Sequence, residues 1–571
     1  MEEKQEMTGY PSIDKPWLKY YSQETINAKL PECTLYEYLW ENNKDHLEDI
    51  ALNYFGRKMT YGELFENIDL VARAFAAQGV KAEDVVTIVA LSSVPSVLCF
   101  YALNKIGAIF NFVNVLASDD DLKEYFEEAG GNVVVALDVF GEKVIKAAEK
   151  AGVNKVIMFS LTDYMPTMVK AGYLCKMRGQ DRDFSKRDKV LYWKDFMASA
   201  VKNLILCKKD SKEVCAWVHT GGTTGFPKTV LLSDNSMNAI ACQYIQCYEH
   251  KRQEVFLNVM ILYVIYGLLV CMHMPLCMGF SVVIVPKFEQ SDWKKYIEQY
   301  HPNHIMAIPA YVEALLGQHE FKENALTGLL NVGVGGDGMT VELEKKLNQF
   351  LADHGAEGKI LRGYGMTEVS ATAIMENRNV CKEGSVGIPF PANNVMIYDN
   401  DKGEELKYGE IGEICLQSKS VMLGYRENVE ATERLIRKHG KEAWIHTEDL
   451  GYIDQDGFLF IVGRLKRIIL LNYAGCAYKV YPQKVEEVLV TSRYVESVCV
   501  VRASGERGMV AKAYIVLQNK VKGEAGKIEE DLRKLCEKEL PAYSCPASYE
   551  FLDALPLTAA GKVDYKALEE K

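Results

Sequence analysis

Trp217 to Val230 reads W-V-H-T-G-G-T-T-G-F-P-K-T-V, and the rest of the 571-residue chain is organised around it. Gly221, Gly222 and Gly225 are interleaved with the hydroxyls of Thr220, Thr223, Thr224 and Thr229, and Lys228 follows Pro227. Glycine lets backbone N–H groups converge on an anion because no Cβ intervenes, and a turn of such groups makes a nest of positive partial charge. With hydroxyl donors and a cation added, the stretch has the chemistry of a phosphate-binding loop. A Walker A loop has glycine directly before its lysine, whereas here Pro227 holds that position. The apolar run Val214 to Val218 just ahead reads as the strand that delivers the loop.

Outward from the loop, strands alternate with helices. Thr60 and Glu63 have capping-box spacing, Leu64, Ile68, Val71, Ala72 and Phe75 share one face, and Gly79 ends the helix. Val85 to Leu91 is a buried-strand run, and a helix opens at Pro95 and closes at Gly107. Asn132 to Leu137 and Lys155 to Phe159 repeat the strand signal, with a helix from Gly141 to Ala151 between them. This alternation predicts an α/β fold of parallel sheets covered on both faces by helices. Ser160 to Glu213, polar and rich in Lys and Arg, breaks the rhythm and reads as an excursion with a solvated basic face.

Composition narrows the classes. The length requires several domains, and 48% hydrophobic with 25% charged residues is ordinary for a globular protein. A net charge of −12 argues against nucleic acid as the main partner. Fifteen cysteines without a C-x-x-C pair fit neither a disulfide framework nor a zinc site, which points to a reducing cytoplasm. The first residues, M-E-E-K-Q-E-M-T, lack the features of a signal peptide. Val255 to Pro286 contains no Asp, Glu, Lys or Arg and is long enough to span a bilayer. Asn258, Gly267, His273, Pro275 and Gly279 interrupt it, so the expectation is a buried helix followed by a buried strand, with no transmembrane segment.

Further motifs follow in order: N-V-G-V-G-G-D-G-M at Asn331 to Met339, G-Y-G-M-T-E at Gly363 to Glu368, G-S-V-G-I-P at Gly384 to Pro389, G-E-I-G-E-I at Gly409 to Ile414, G-Y-R at Gly424 to Arg426, H-T-E-D-L-G at His446 to Gly451, G-F-L-F-I-V-G-R-L-K at Gly457 to Lys466, and P-L-T-A-A-G-K-V-D-Y at Pro556 to Tyr565. Together with T-G-G-T-T-G-F-P-K-T, this series resembles the adenylate-forming, AMP-binding enzymes: acyl-CoA synthetases, adenylation domains of peptide synthetases, and luciferases. Acyl-CoA synthetases are the most similar branch.

The resemblance implies a large N-terminal adenylation domain, residues 1–465, of parallel sheets layered with helices plus a smaller β subdomain, and a small mobile α+β C-terminal domain, residues 466–571, hinged at Lys466. It assigns ATP to Thr220, Gly221, Gly222, Thr223, Thr224, Gly225 and Lys228, to the adenine-flanking Gly336 and Asp337, and to Tyr364, Thr367, Asp449 and Arg464. Glu368 is the implied Mg²⁺ ligand. Thr223, Lys228, Glu368 and Lys562 are the implied catalytic groups, and Tyr263, Val264 and Gly365 the acid-binding ones. The chemistry agrees: an aromatic face suits a purine, a carboxylate a ribose diol, and a hard oxygen Mg²⁺.

The expected activity is ATP-dependent ligation of a carboxylic acid, through an acyl-adenylate, to coenzyme A. The uncharged run Val255 to Val270 points to an apolar, fatty or aryl acid. A carrier-protein thiol is the alternative acceptor, and a nucleotide-binding protein without catalysis is a second alternative. The chain departs from the family pattern at Gly221, Thr229, Glu448 and Ala477.

Overall fold

The computed structural model describes residues 7–177, 182–184, 186–204, 209–220, 227–318, 321–322, 324–473, 476–505, 508–518, 525–557 and 563–571, with backbone alone for residues 472, 476, 477, 508 and 525. Among them, two large sheets supply a common apolar cluster. The first carries Val214–His219, Ile109–Phe112, Val85–Val89, Val133–Leu137, Lys155–Phe159 and Val190–Tyr192 in parallel. Thr229–Ser233 turns back antiparallel on Val214–His219, and Gly424–Tyr425 closes that edge. The second sheet has a parallel centre of Lys359–Tyr364, Asn331–Val334, His304–Ala307, Val255–Asn258, Ser281–Ile284 and Ile50–Tyr54.

Local chemistry explains the covering helices. In Tyr61–Ala77, the Thr60 hydroxyl accepts from the Glu63 N–H while the Glu63 carboxylate accepts from the Thr60 N–H, closing the capping box. That cap contributes about 1 kcal/mol. Leu64, Ile68, Val71 and Phe75 are fully buried, each contributing roughly 1.5–3 kcal/mol. In Val94–Lys105, Pro95 stands in the first turn and Gly107 follows the helix at φ 77°.

Two expectations change. The uncharged run opens with a strand, Val255–Asn258, before its helix; a four-residue apolar stretch has no periodicity to separate it from the helical residues that follow. The helix is a π turn over Tyr266–His273 continuing as Met274–Cys277, where Pro275 withholds an N–H. Gly267 is required there, since a Cβ would lie 2.1 Å from the Ile261 carbonyl oxygen. No helix of the described residues is long and apolar enough to cross a membrane. The basic excursion also holds Val190–Tyr192, a strand too short to show alternation, which extends the first sheet.

A third, antiparallel sheet runs through Asn394–Asp399, Gly412–Gln417, Glu442–Ile453 and Leu459–Arg464 over its own apolar cluster. The N-terminal segment completes that cluster with the fully buried Trp17. Gly457, at φ 96°, lies against Trp17, where a Cβ would come 2.7 Å from the Trp17 nitrogen. Ser12 donates from backbone and hydroxyl to Glu405, and the Tyr21 hydroxyl donates to the Pro389 carbonyl.

Beyond Leu465–Arg467 come the hairpin Ile469–Tyr473 with Cys476–Val480, the sheet of Val495–Gly505, Gly508–Leu517 and Ser548–Leu552, and helices Pro482–Val490, Ala525–Glu539 and Tyr565–Glu569. Two apolar clusters draw only on residues from Ile469 onward.

Candidate active site

Asp449 is fixed by sheet register. On Glu442–Ile453 it pairs directly with Arg464 on Leu459–Arg464, so the Arg464 Nε donates to Asp449 Oδ1 at 2.8 Å. From the carboxyl end of Lys359–Tyr364, the Tyr364 hydroxyl donates to Asp449 Oδ2 at 2.7 Å. Burial first, then the Asp449 charge, pushes the Tyr364 hydroxyl well above its ordinary pKa and keeps it a donor. The Asp449 charge is also the main cause of the raised Arg464 pKa. Asp449 thus presents a fixed acceptor next to a buried aromatic ring.

Behind Asp449 lies a buried support that the sequence did not reveal. Glu413, opposite Leu450 in the register, accepts from the Glu448 N–H at 2.9 Å, from Asn400 at 2.8 Å and from the His446 ring at 2.7 Å. Burial alone would raise its pKa, but the bonds from His446 and Asn400 hold it lower. Cys415 completes a set whose possible metal-ligand atoms lie within 4.8 Å of one another. The Glu413 oxygens are already occupied by these donors, so the cluster braces the strand that carries Asp449.

Glu448, where the family pattern has glycine, takes φ 61°, the left-handed conformation that glycine favours. Its carboxylate accepts from Arg434 at 2.8 Å and Lys466 at 2.6 Å. Burial would raise its pKa, yet Lys466 and then Arg434 bring it down. The charge points at the Leu465–Arg467 turn rather than at Asp449.

Gly335 and Gly336, at the carboxyl end of Asn331–Val334, allow a close approach: a Gly335 Cβ would lie 3.3 Å from the Gly363 carbonyl oxygen and 4.0 Å from the Tyr266 ring. Asp337 is exposed and accepts from the Gly338 N–H. Tyr263 is half-buried against two apolar clusters and Val264 is exposed, both just before the helix that brings Tyr266 to this loop.

Gly365 has a packing reason of its own, since a Cβ there would meet the Ala371 carbonyl oxygen at 1.8 Å. Thr367 starts the turn Thr367–Val369, and Ser370 and Ala371 follow at φ 54° and 87°. Such left-handed residues cost of order 1–3 kcal/mol each and persist only where surroundings hold them. Here Ser370 donates to the Ser420 carbonyl and Met422 N–H to the Glu368 carbonyl, both at 2.8 Å.

The loop holds Glu368 buried, its Oε1 accepting from the Tyr425 hydroxyl at 2.6 Å. Burial, then the Glu368 charge, raises the Tyr425 pKa. The Lys228 Nζ sits 4.3 Å from the Tyr425 ring centroid. Neither Lys228 nor Glu368 has an ion-pair partner among the described residues. Glu368 fits a hard cation: one oxygen is fixed by a hydroxyl, and the other accepts no hydrogen bond among the described residues.

The two strands on either side of the stretch expected to bind phosphate pair with each other. Val214–His219 and Thr229–Ser233 pair antiparallel, and the Thr220 N–H donates to the Lys228 carbonyl at 3.0 Å. Gly221, Gly222, Thr223, Thr224, Gly225 and Lys562 lie outside the described residues. Thr229 is buried, and its hydroxyl donates to Glu128 at 2.9 Å. Glu128 also receives Arg426 at 3.2 Å, whose guanidinium covers the Trp217 ring. A cavity of about 270 Å³ opens here between Glu124, Glu128, Lys228, Thr229, Arg426 and Asn428.

The pattern of these residues is that of a nucleotide-activating enzyme. The AMP-binding enzyme family matches residues 39–426 and the AMP-binding enzyme C-terminal domain residues 484–562, and the chain belongs to this family. A long-chain-fatty-acid–CoA ligase of Bacillus subtilis (strain 168) is 28% identical over 567 residues, 98% of each chain. A 4-coumarate–CoA ligase of Humulus lupulus is 27% identical over 96% of each chain. The crystal structure of an anthranilate CoA ligase in complex with anthranoyl-AMP shares the fold with a TM-score of 0.80 at 21% identity, covering 95% of this chain and 98% of that one.

Proposed function

We propose that the protein is an ATP-dependent acid–thiol ligase. A carboxylate oxygen attacks the α-phosphorus of ATP and pyrophosphate leaves; a thiol then attacks the acyl carbon of the adenylate and AMP leaves. The observation that carries this reading is Asp449, held by Arg464 and Tyr364 in a chain that spans the CoA ligases over nearly its whole length. Asp449 would accept from the ribose hydroxyls, Tyr364 would stack on adenine, and Lys228 with the glycine-threonine loop would hold the distal phosphates. Glu368 would hold Mg²⁺, which neutralises phosphate charge when bound. Positioning and charge complementarity supply most of the rate in such chemistry.

Coenzyme A is the acceptor. The boundary between adenylation domain and mobile domain is set at Lys466, supported by the separate apolar clusters after it. The acid is apolar, because the residues before and within the helix Tyr266–His273 carry no charge to match a second ionised group. The free thiols of the described cysteines favour the cytoplasm. A panel of carboxylic acids with ATP and hydroxylamine, which traps any adenylate formed, tests the reading. Fatty or aryl acids should give hydroxamate, and a consistent preference for dicarboxylates or amino acids by kcat/KM would overturn the pocket assignment.

A further inference from the structure

Lys228 and Glu368 carry opposite charges and flank one side chain, yet they form no ion pair with each other. Tyr425 stands between them, its hydroxyl on Glu368 Oε1 and its ring face under the Lys228 Nζ. We propose that Tyr425 is a positioning residue for the adenylation step: it keeps the phosphate-loop lysine and the metal-holding carboxylate apart, so that each stays available to the nucleotide. The proposal rests on the roles given above to Lys228 and Glu368.

Phenol suits this task. Its ring face attracts an ammonium through the quadrupole, while its hydroxyl gives a carboxylate a short charge-assisted hydrogen bond. Without it, the ammonium and the carboxylate would lose the side chain that engages both, and pairing with each other would take from each the charge it offers to phosphate or cation. The backbone also fixes the point from which the tyrosine reaches. Tyr425 is in register with Val230, two residues after Lys228. Its N–H donates to the Thr432 hydroxyl, and the next N–H, that of Arg426, donates to the Thr229 carbonyl, both at 2.9 Å. Ring and lysine are therefore set by the same pair of strands, and the carboxylate by the strained turn opposite.

The test is ATP binding by isothermal titration, in EDTA and across a Mg²⁺ series, with Tyr425→Phe, Tyr425→Leu, Lys228→Ala and Glu368→Gln. Tyr425→Phe keeps the ring and should leave ATP affinity in EDTA unchanged. It should raise the Mg²⁺ concentration that half-saturates the effect about tenfold or more, the usual consequence of losing a hydrogen bond to a metal ligand. Tyr425→Leu should show this shift and also weaken ATP severalfold in EDTA, because Lys228 can then collapse onto Glu368. Equal losses in EDTA and Mg²⁺ for Tyr425→Phe, or identical behaviour of the Phe and Leu variants, would overturn the proposal. If Lys228→Ala and Glu368→Gln change neither condition, the site assignment itself fails, an outcome distinct from failure at Tyr425 alone.

Discussion

Asp449→Ala should weaken ATP far more than the acid. Of the carboxylate's four acceptor positions, Arg464 and Tyr364 occupy one on each oxygen, leaving one on each, which matches the two ribose hydroxyls proposed to bind there. A hydrogen bond to a charged acceptor contributes about 1.5–3 kcal/mol. Losing even one therefore raises KM for ATP about tenfold or more, while KM for the acid, bound elsewhere, stays within about twofold. The substitution also strands the buried Tyr364 hydroxyl, at a cost of about 1–3 kcal/mol in stability. Tyr364→Phe separates the two effects, since it removes that hydroxyl but leaves the carboxylate and the ring. ATP–pyrophosphate exchange measures both KM values, and a thermal melt measures stability. An unchanged KM for ATP in a folded Asp449→Ala protein would remove Asp449 from the nucleotide site.

Glu448→Gly relieves a left-handed residue but gives up two partly exposed ion pairs, terms of about 1 kcal/mol each and opposite sign. Melting temperature should barely move and KM for ATP should fall or stay constant, so a tenfold rise would make Glu448 part of the nucleotide site. Lys562→Ala should slow acid-dependent pyrophosphate release by on the order of 10²–10³-fold and still convert a supplied acyl-adenylate and coenzyme A to thioester; Lys466→Pro should do the reverse, and equal losses in both steps for Lys562→Ala would refute a two-orientation mechanism. Burial pushes the His219 imidazole down to about 4 from 6.5. A depressed histidine leaves stability complete above pH 6.5 and erodes it as pH falls toward 4, by on the order of 3 kcal/mol. His219→Gln should lessen the fall in melting temperature between pH 7 and 4 without abolishing it, since the buried His273 is depressed as well, and parallel curves for the two proteins would show that His219 does not titrate as described.

Much of the frame was legible because it is written in local chemistry. The capping box at Thr60 and Glu63, the apolar runs of the parallel strands and the H-T-E-D string each act within a few residues. What escaped depends on distant strands meeting. Tyr425 appears in the chain only as part of G-Y-R, and nothing nearby announces that it will touch Glu368 fifty-seven positions earlier. Thr229 and Glu448 are two of the departures from the family pattern. The structure shows what each contributes instead: Thr229 binds Glu128, and Glu448 binds Arg434 and Lys466. The four-residue strand Val255–Asn258 was hidden because too few residues separate it from a helix of similar composition.

Trp17 has a consequence for synthesis. Its pocket closes only when Gly457 arrives, 440 residues later. At about 5–20 residues per second on the ribosome, that tryptophan waits roughly 20–90 s for its site. The two large sheets can begin to assemble meanwhile, but the antiparallel subdomain cannot finish its core until the nascent chain returns to its own beginning. A substitution around Trp17 therefore threatens this subdomain first, although the tryptophan lies far from its strands in the sequence.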